Sequence, residues 1–136
     1  MISLQSGTGG IAAAESFYNS EDLYWLSHII NAESGGEPLD GKIAVGTVIL
    51  NRVASARFSA SIYDVVFAPN QFTPASSGAI HRQPNAESVL AAKLCLEGVR
   101  VGGNSLYFVN PHISPNSWAA RNRPYVTTIG HHSFYA

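Results

Sequence analysis

The feature that most constrains this chain is the stretch of residues 23–50, which predicts two consecutive helices separated by a pair of glycines. In the first helix, Leu23, Leu26 and Ile30 recur at intervals of three and four residues. That spacing places apolar side chains on one helical face. Gly35–Gly36 then ends the helix, so the two helices must meet at an angle across a short turn.

Glu33 continues the same spacing just before the glycines, where the pattern calls for another apolar side chain. Burial disfavours the charged form of a carboxyl group and can raise its pKa by as much as about 3–5 units. A carboxylic acid that stays protonated near neutral pH can donate a proton. We therefore interpret Glu33 as a general acid. An equally compatible interpretation is that Glu33 only ends the helix and points into water.

The second helix is predicted to lie at the centre of the molecule, because residues 43–50 are apolar on nearly all sides. Gly46 costs about 1 kcal/mol relative to Ala inside a helix, so we expect it to allow another backbone to approach. Asn51 follows the apolar run directly. It either ends the buried helix or faces a cavity, and we favour the cavity.

Composition and charge exclude several classes of function. The chain has 136 residues, of which 46% are hydrophobic and 12% charged, which fits one domain with a core, and we place it at residues 19–136. The net charge of −1 gives no basic surface for nucleic acid, and no apolar run approaches the roughly 18 residues of a membrane span. Residues 1–18 are predicted to form a flexible leader, and we expect a monomer.

The rest of the chain predicts further helices followed by β structure. Residues 61–67 and the segment from about 85 to 97 have helical patterns, whereas the turn-rich residues 74–84 predict a surface loop. Residues 105–109 and 125–130 are rich in aromatic and β-branched side chains and predict two strands joined by a loop. The predicted helices come first along the chain and the predicted β-hairpin comes last. This order indicates an α+β domain that is mainly helical with a small antiparallel sheet.

Glycoside cleavage is the chemistry that these residues fit best. The histidines show no H-E-x-x-H spacing, and adjacent His131 and His132 would point to opposite faces of a strand, so we expect no metal and no cofactor. No G-x-S-x-G motif is present, and Cys95 is expected to be a buried hydrophobic residue. Cleaving a glycoside needs a carboxylic acid and neutral groups that hold sugars. Side chains of suitable type, each of which could instead be a core or turn residue, are Asn51, Gln71, Phe72, Tyr107, Asn110 and Trp118.

Six motifs occur in order along the chain: N-A-E-S-G-G-E-P at 31–38, A-V-G-T-V-I-L-N-R-V at 44–53, Y-D-V-V at 63–66, Q-F at 71–72, L-Y-F-V-N-P at 106–111 and I-G-H-H-S-F-Y at 129–135. Together they resemble the SleB/CwlJ family of cell-wall hydrolases, which includes the catalytic domains of spore-cortex-lytic enzymes. The resemblance extends from about residue 21 to residue 135. It implies a lysozyme-like fold and action on the glycan strands of peptidoglycan.

The resemblance also implies roles for particular residues. Glu33 falls on the family's catalytic glutamate, the residue that the helical spacing had already singled out. Gln71, Tyr107 and Asn110 match motif positions that would line a glycan groove. His132 matches the family's histidine. Members are described as lytic transglycosylases, so one glutamic acid would cut the bond between N-acetylmuramic acid and N-acetylglucosamine and leave 1,6-anhydro ends.

Two alternatives from other classes remain open. Some relatives are described as N-acetylmuramoyl-L-alanine amidases, a chemistry that normally uses zinc, and a non-catalytic glycan-binding module would need no buried acid. Glu37 and Asp40 are close to Glu33 in sequence, but we expect the turn and the new helix to direct them elsewhere. A secreted or cell-envelope location (periplasm, cell wall or spore cortex) follows from the substrate, although no secretory signal is visible.

Overall fold

The computed structural model describes residues 18–55 and 61–136. The flexible leader predicted for residues 1–18 lies, except for Tyr18, outside this part of the chain. The described elements, in chain order, are the helices α1 (Ser20–Ser34), α2 (Leu39–Ala54), α3 (Ile62–Val66) and α4 (Thr73–Ser77), a 3₁₀ helix (Ala79–His81), the helix α5 (Ala86–Leu96), the strand β1 (Tyr107–Val109), the helix α6 (Trp118–Asn122) and the strands β2 (Tyr125–Ile129) and β3 (His132–Tyr135).

Helix α1 ends where the sequence predicts. Its N-terminus is capped by the Asn19 side chain, which accepts a hydrogen bond from the backbone N–H of Asp22 at 2.9 Å. At its C-terminus the backbone N–H of Gly35 donates to the carbonyl of Asn31 at 2.8 Å. The apolar face between these ends packs against α2 and α5, so Glu33 is carried to the junction of the first two helices.

Helix α2 lies at the centre, and every residue from Gly41 to Ile49 is buried. Each fully buried aliphatic side chain in such a helix contributes about 1.5–3 kcal/mol to stability. Lys42 is buried among them, with 2% exposure. Its ammonium donates to the carbonyl of Glu37 and to Oε1 of Glu87, the latter at 2.8 Å. These partners make the burial of the charge tolerable.

Gly46 allows a close approach, but by a side chain rather than by a backbone. A Cβ placed on Gly46 would lie 2.6 Å from Sγ of Cys95 and 3.0 Å from Cδ1 of Ile30. The expectation of a neighbouring backbone was therefore wrong. The expected burial of Cys95 is confirmed, because the residue is 1% exposed, and burial raises the pKa of its thiol to about 11.

The β structure is a three-stranded antiparallel sheet in the order β1-β3-β2. The sequence predicted only two strands, which was wrong: the chain reverses at Gly130, whose φ is +57°, and returns as β3. This third strand is the central one and pairs with both others. Phe134 on β3 is fully buried and lies opposite Phe108 on β1.

Short helical segments also replace predicted loops. Within the predicted surface loop 74–84, α4 begins with a proline in its first turn and is followed by the 3₁₀ helix. Within the loop between the predicted strands, α6 is capped by Ser117, whose hydroxyl accepts from the N–H of Ala120 at 3.2 Å. Helices of one turn leave too few residues for a periodic signal.

The predicted fold class, α+β and mainly helical with a small antiparallel sheet, is confirmed. One hydrophobic cluster joins α1, α2, α3 and α5 to Phe134 of the sheet. Within residues 18–55 and 61–136, no helix has both the length and the apolar composition that crossing a bilayer requires.

Replacing Gly46 by Ala should lower the free energy of unfolding by about 1–3 kcal/mol, because the added methyl group must displace Cys95 in a packed core. Helix propensity alone would give the opposite sign, a gain of about 1 kcal/mol. Urea denaturation measures the difference. The matched control is Gly36→Ala, where the added Cβ has no neighbour within 4 Å, and stability should change by less than about 0.5 kcal/mol. A stabilised Gly46→Ala variant would contradict the packing argument.

Candidate active site

A cavity of about 560 Å³ lies between the C-terminal end of α1 and the β-sheet. One wall is the turn between α1 and α2, and the other is formed by the end of β1 and the turn between β2 and β3. The structure brings together at this cavity five residues that the sequence singled out, which are Glu33, Gln71, Phe72, Asn110 and His132.

The carboxyl group of Glu33 stands in the helical wall and is partly buried. Its pKa is raised from 4.5 to about 7, and the cause is removal from water rather than a neighbouring charge. The position therefore agrees with a buried, proton-bearing acid and not with a side chain in bulk water. The catalytic role of Glu33 stays a prediction at this point.

Arg52 lines this cavity, whereas the sequence favoured its neighbour Asn51 as the residue that faces a cavity. It is 5% exposed, its Nε donates to the carbonyl of Leu106 at 2.7 Å, and its Nη1 donates to Oε1 of Gln71 at 3.1 Å. Burial lowers the pKa of the guanidinium to about 10, which leaves it charged at neutral pH. Because the Gln71 oxygen accepts from Arg52, the Gln71 NH₂ group is left as the donor at the cavity. A charged residue in the turn of α2 that follows the apolar run 43–50 was the available signal.

Glu37 also lines the cavity, contrary to the expectation that it points elsewhere. Its Oε1 accepts a hydrogen bond from the backbone N–H of His131 at 2.9 Å, and its Oε2 lies 2.8 Å from Nδ1 of the same residue. Desolvation opposes ionisation of Glu37. The two hydrogen bonds and the charge of His131 outweigh that cost and lower the pKa below its usual value. The cavity thus holds two carboxyl groups that differ near neutral pH, because Glu37 is ionised while Glu33 is about half protonated.

His132 forms part of the sheet-side wall and is 8% exposed. Burial is the main reason why its pKa is lowered, so the imidazole is neutral at pH 7. Its ring packs edge-on against Phe108, with 5.1 Å between centroids. In the described part of the chain its buried Nδ1 has no hydrogen-bond partner. Across residues 18–55 and 61–136, no three His, Cys, Asp or Glu side chains gather in a metal-binding arrangement.

Asn51 lies at a different place from the other predicted residues. Its Nδ2 donates to the carbonyl of Gly103 at 3.0 Å and to that of Ser105 at 2.8 Å, and the residue lines a second cavity of about 340 Å³. Asn51 therefore joins α2 to the segment before β1. Its predicted contact with substrate stays a prediction.

Tyr107 and Trp118 form an aromatic pair outside the 560 Å³ cavity, with ring centroids 5.5 Å apart. Neighbouring residues of a strand face opposite sides, so Phe108 lines the cavity while Tyr107 is turned to Trp118 and Arg123. Trp118 is 53% exposed. Neither residue lines the cavity that holds Glu33, and their predicted sugar contacts remain untested.

A small, mainly helical domain with an acid of raised pKa in a polar cavity is an arrangement typical of acid–base enzymes. The family model for cell wall hydrolases matches residues 36–135, and the chain belongs to this family. A spore cortex-lytic enzyme of Bacillus cereus is 37% identical over 117 residues, which cover 86% of this chain and 45% of the relative. One from Bacillus subtilis is 33% identical, with coverage of 86% and 38%. The chain spans less than half the length of these relatives.

Solved structures agree with the sequence comparison. The catalytic domain of the germination-specific lytic transglycosylase SleB from Bacillus anthracis matches with a TM-score of 0.80 and 36% identity, covering 89% of this chain and 98% of that one. The catalytic domain of the Bacillus cereus SleB protein matches with the same TM-score and identity, covering 89% and 94%. The resemblance and the lysozyme-like fold that it implied are confirmed.

The raised pKa of Glu33 should make stability depend on pH. The folded protein retains a proton between pH 4.5 and about 7 that the unfolded chain has lost. The contribution of Glu33 to the free energy of unfolding is therefore complete below about pH 4.5 and declines as the pH rises to about 7. In Glu33→Gln the decline is absent, so the variant should gain about 3 kcal/mol relative to the parent across this range.

Urea denaturation of both proteins from about pH 4 to pH 8 measures this gain. All other titrating groups cancel in the difference between variant and parent. A difference that stays constant over the whole range would show that Glu33 titrates as an exposed glutamate.

Proposed function

We propose that this chain is a peptidoglycan lytic transglycosylase that cuts the bond between N-acetylmuramic acid and N-acetylglucosamine with Glu33 as its acid and base. The observation that carries the proposal is the partly buried Glu33 carboxyl, with a pKa of about 7, in an open cavity with neutral hydrogen-bonding groups. The match to a catalytic domain described as a lytic transglycosylase supports the same activity.

The first step requires the protonated form of Glu33. The carboxylic acid donates its proton to the oxygen that links the two sugars, and the bond from that oxygen to the muramic C1 breaks. The N-acetylglucosamine portion leaves as an alcohol, and positive charge develops at the muramic C1. A pKa close to the working pH keeps the acid form populated while allowing the proton to leave.

The second step uses the same side chain as a base. The Glu33 carboxylate takes the proton from the C6 hydroxyl of the muramic residue, and the C6 oxygen bonds to C1. The product is a 1,6-anhydro ring, no water is consumed, and Glu33 regains its proton. A nucleophile within the sugar removes the need for the second carboxylate that hydrolases use.

Groups around the cavity are suited to holding the sugars. Oδ1 of Asn110 accepts from the backbone N–H of His112 at 2.9 Å, so its NH₂ group is the donor available to substrate, as in Gln71. His132 adds a neutral imidazole. Phe72 is 6% exposed and stacks near Phe108, with 6.1 Å between centroids, so it supports the cavity floor.

A glycan strand is longer than the cavity, and exposed side chains beyond it extend the proposed groove. Trp118 with Tyr107 offers an aromatic surface for a further sugar, and Asn51 lies at the separate 340 Å³ cavity. Peptidoglycan as substrate places the activity outside the cytoplasm, at the cell wall or the spore cortex. We propose that the chain acts there as a monomer, without cofactor or nucleic acid.

Glu33→Gln should reduce the release of muropeptides from purified sacculi by at least about 10²-fold, because the amide cannot donate a proton to the leaving oxygen. Mass spectrometry of the parent digest should show 1,6-anhydromuramic ends. Reducing ends would identify a hydrolase, free peptides an amidase, and no products a glycan-binding module; each would contradict the proposal. Circular dichroism and sedimentation with sacculi should show that the variant still folds and binds.

The rate should also fall as the pH rises through the pKa of Glu33. The first step needs the acid form, so kcat/KM should decrease above about pH 7, with a midpoint set by the free enzyme. The loss of turbidity of sacculi between about pH 5 and pH 9 measures this limb. A rate that is constant from about pH 6 to pH 8.5 would exclude Glu33 as the donor.

A further inference from the structure

One carboxylate connects the two walls of the catalytic cavity. Glu37 lies in the turn between α1 and α2, four residues after Glu33, and both of its oxygens contact His131, which is 94 residues away in the chain. The backbone N–H of His131 donates to Oε1 at 2.9 Å, and Nδ1 lies 2.8 Å from Oε2. The Glu37 side chain is 10% exposed, whereas that of His131 is 69% exposed. The buried partner is therefore the Glu37 carboxylate, and the turn between β2 and β3 is bound to it by these two contacts.

The packing around Gly130 shows that the turn between β2 and β3 lies in close contact with Glu37. A Cβ on Gly130 would lie 2.0 Å from Oε1 of Glu37 and 3.3 Å from Cδ of Pro38. The φ of +57° at the same residue also favours glycine. At the start of α2, a Cβ on Gly41 would lie 3.3 Å from Cβ of Glu37 and 3.5 Å from Cγ2 of Ile129. The turn between β2 and β3 and the start of α2 thus pack together around this carboxylate.

The contacts of His131 with Glu37 also fix the backbone next to His132, which directly follows His131 in the chain. Its Nδ1 has no partner in the described part of the chain, so no hydrogen bond from that atom orients the ring. The ring position depends on packing against Phe108 and on the backbone just before it. We propose that Glu37 is a positioning residue, which holds the β2–β3 turn and thereby presents His132 to the substrate opposite Glu33. This inference rests on the proposed function for the identity of the substrate.

Glu37 is suited to this task and not to that of a second acid. Both oxygens already accept hydrogen bonds from His131, and these bonds help to keep the pKa of the carboxyl below its usual value. A group that stays ionised and occupied cannot donate a proton to a leaving oxygen. The raised pKa of Glu33 comes from burial, without a contribution from Glu37. Glu37 therefore acts through the residues that it holds.

The test compares Glu37→Ala with Glu37→Gln, using the soluble glycan fragments of sacculi as substrate. Alanine removes both contacts, and a small displacement of binding groups can cost about 10²-fold, so kcat/KM should fall about 10- to 100-fold at temperatures well below the Tm of the variant. Glutamine keeps the oxygen that accepts from the His131 N–H. Its activity should stay within about threefold of the parent, unlike that of Glu33→Gln.

Two further variants separate the contacts. His131→Ala keeps the backbone hydrogen bond to Glu37 and should lose less activity than Glu37→Ala. Glu97→Ala removes an exposed glutamate at the end of α5 and should leave kcat/KM unchanged. Ring resonances of His132 in NMR spectra should move in Glu37→Ala and stay in place in Glu97→Ala. In every active variant the anhydro products should be retained.

Two outcomes would overturn the inference. If Glu37→Ala lowers Tm but keeps kcat/KM and the His132 resonances, Glu37 only supports the fold. If Glu37→Gln is as inactive as Glu33→Gln, Glu37 takes part in the chemistry. Should Glu37→Ala fail to fold, Gly130→Ala disturbs the same contact and should give the same loss of activity. The products of the parent enzyme test the proposed function separately, because the effect of Glu37 on rate is measured whichever product forms.

Discussion

The site depends on one carboxyl group that is withdrawn from water and that has no charged partner among residues 18–55 and 61–136. Each unit of pKa shift corresponds to about 1.4 kcal/mol, so holding Glu33 in this position costs stability whenever the group ionises. The packing of α1 against α2 and α5 offsets this loss of stability, and the same packing places the end of α1 in the interior. Because α1 ends at Ser34, Glu33 lies in its last turn, at the cavity wall.

The arrangement of nearby cations protects this state. A cationic side chain next to a carboxylate typically lowers its pKa by about 1–3 units, which would remove the proton that Glu33 must donate. Lys42 is buried close by in the sequence, but its ammonium is directed to Glu87 and to the carbonyl of Glu37. Arg52 lines the cavity itself, yet its guanidinium donates to Leu106 and Gln71. The positive charges near the site thus support its walls, and burial remains the cause that sets the raised pKa of Glu33.

The sequence predicted those parts of the molecule that local pattern determines. Helical spacing and the glycine pair were enough to place Glu33 near a helix end, and the motifs gathered Gln71, Asn110 and His132 around it. The third strand and its pairing with β1 were missed, because strand order depends on contacts between distant segments that no local period records. The approach of His131 to Glu37 depends on that strand order and was missed with it.

The two glutamates of the N-A-E-S-G-G-E-P motif show why spacing alone could not assign their roles. They are four residues apart at one turn, and both line the same cavity. Burial without partners raises the pKa of Glu33, whereas hydrogen bonds from His131 help to lower that of Glu37. When the environments of two titratable groups separate their pKa values, the group with the higher pKa is the one that carries the proton. Here the ionised member is already bound by the protein, so the nucleophile must come from elsewhere, and in the proposed reaction the substrate itself supplies it.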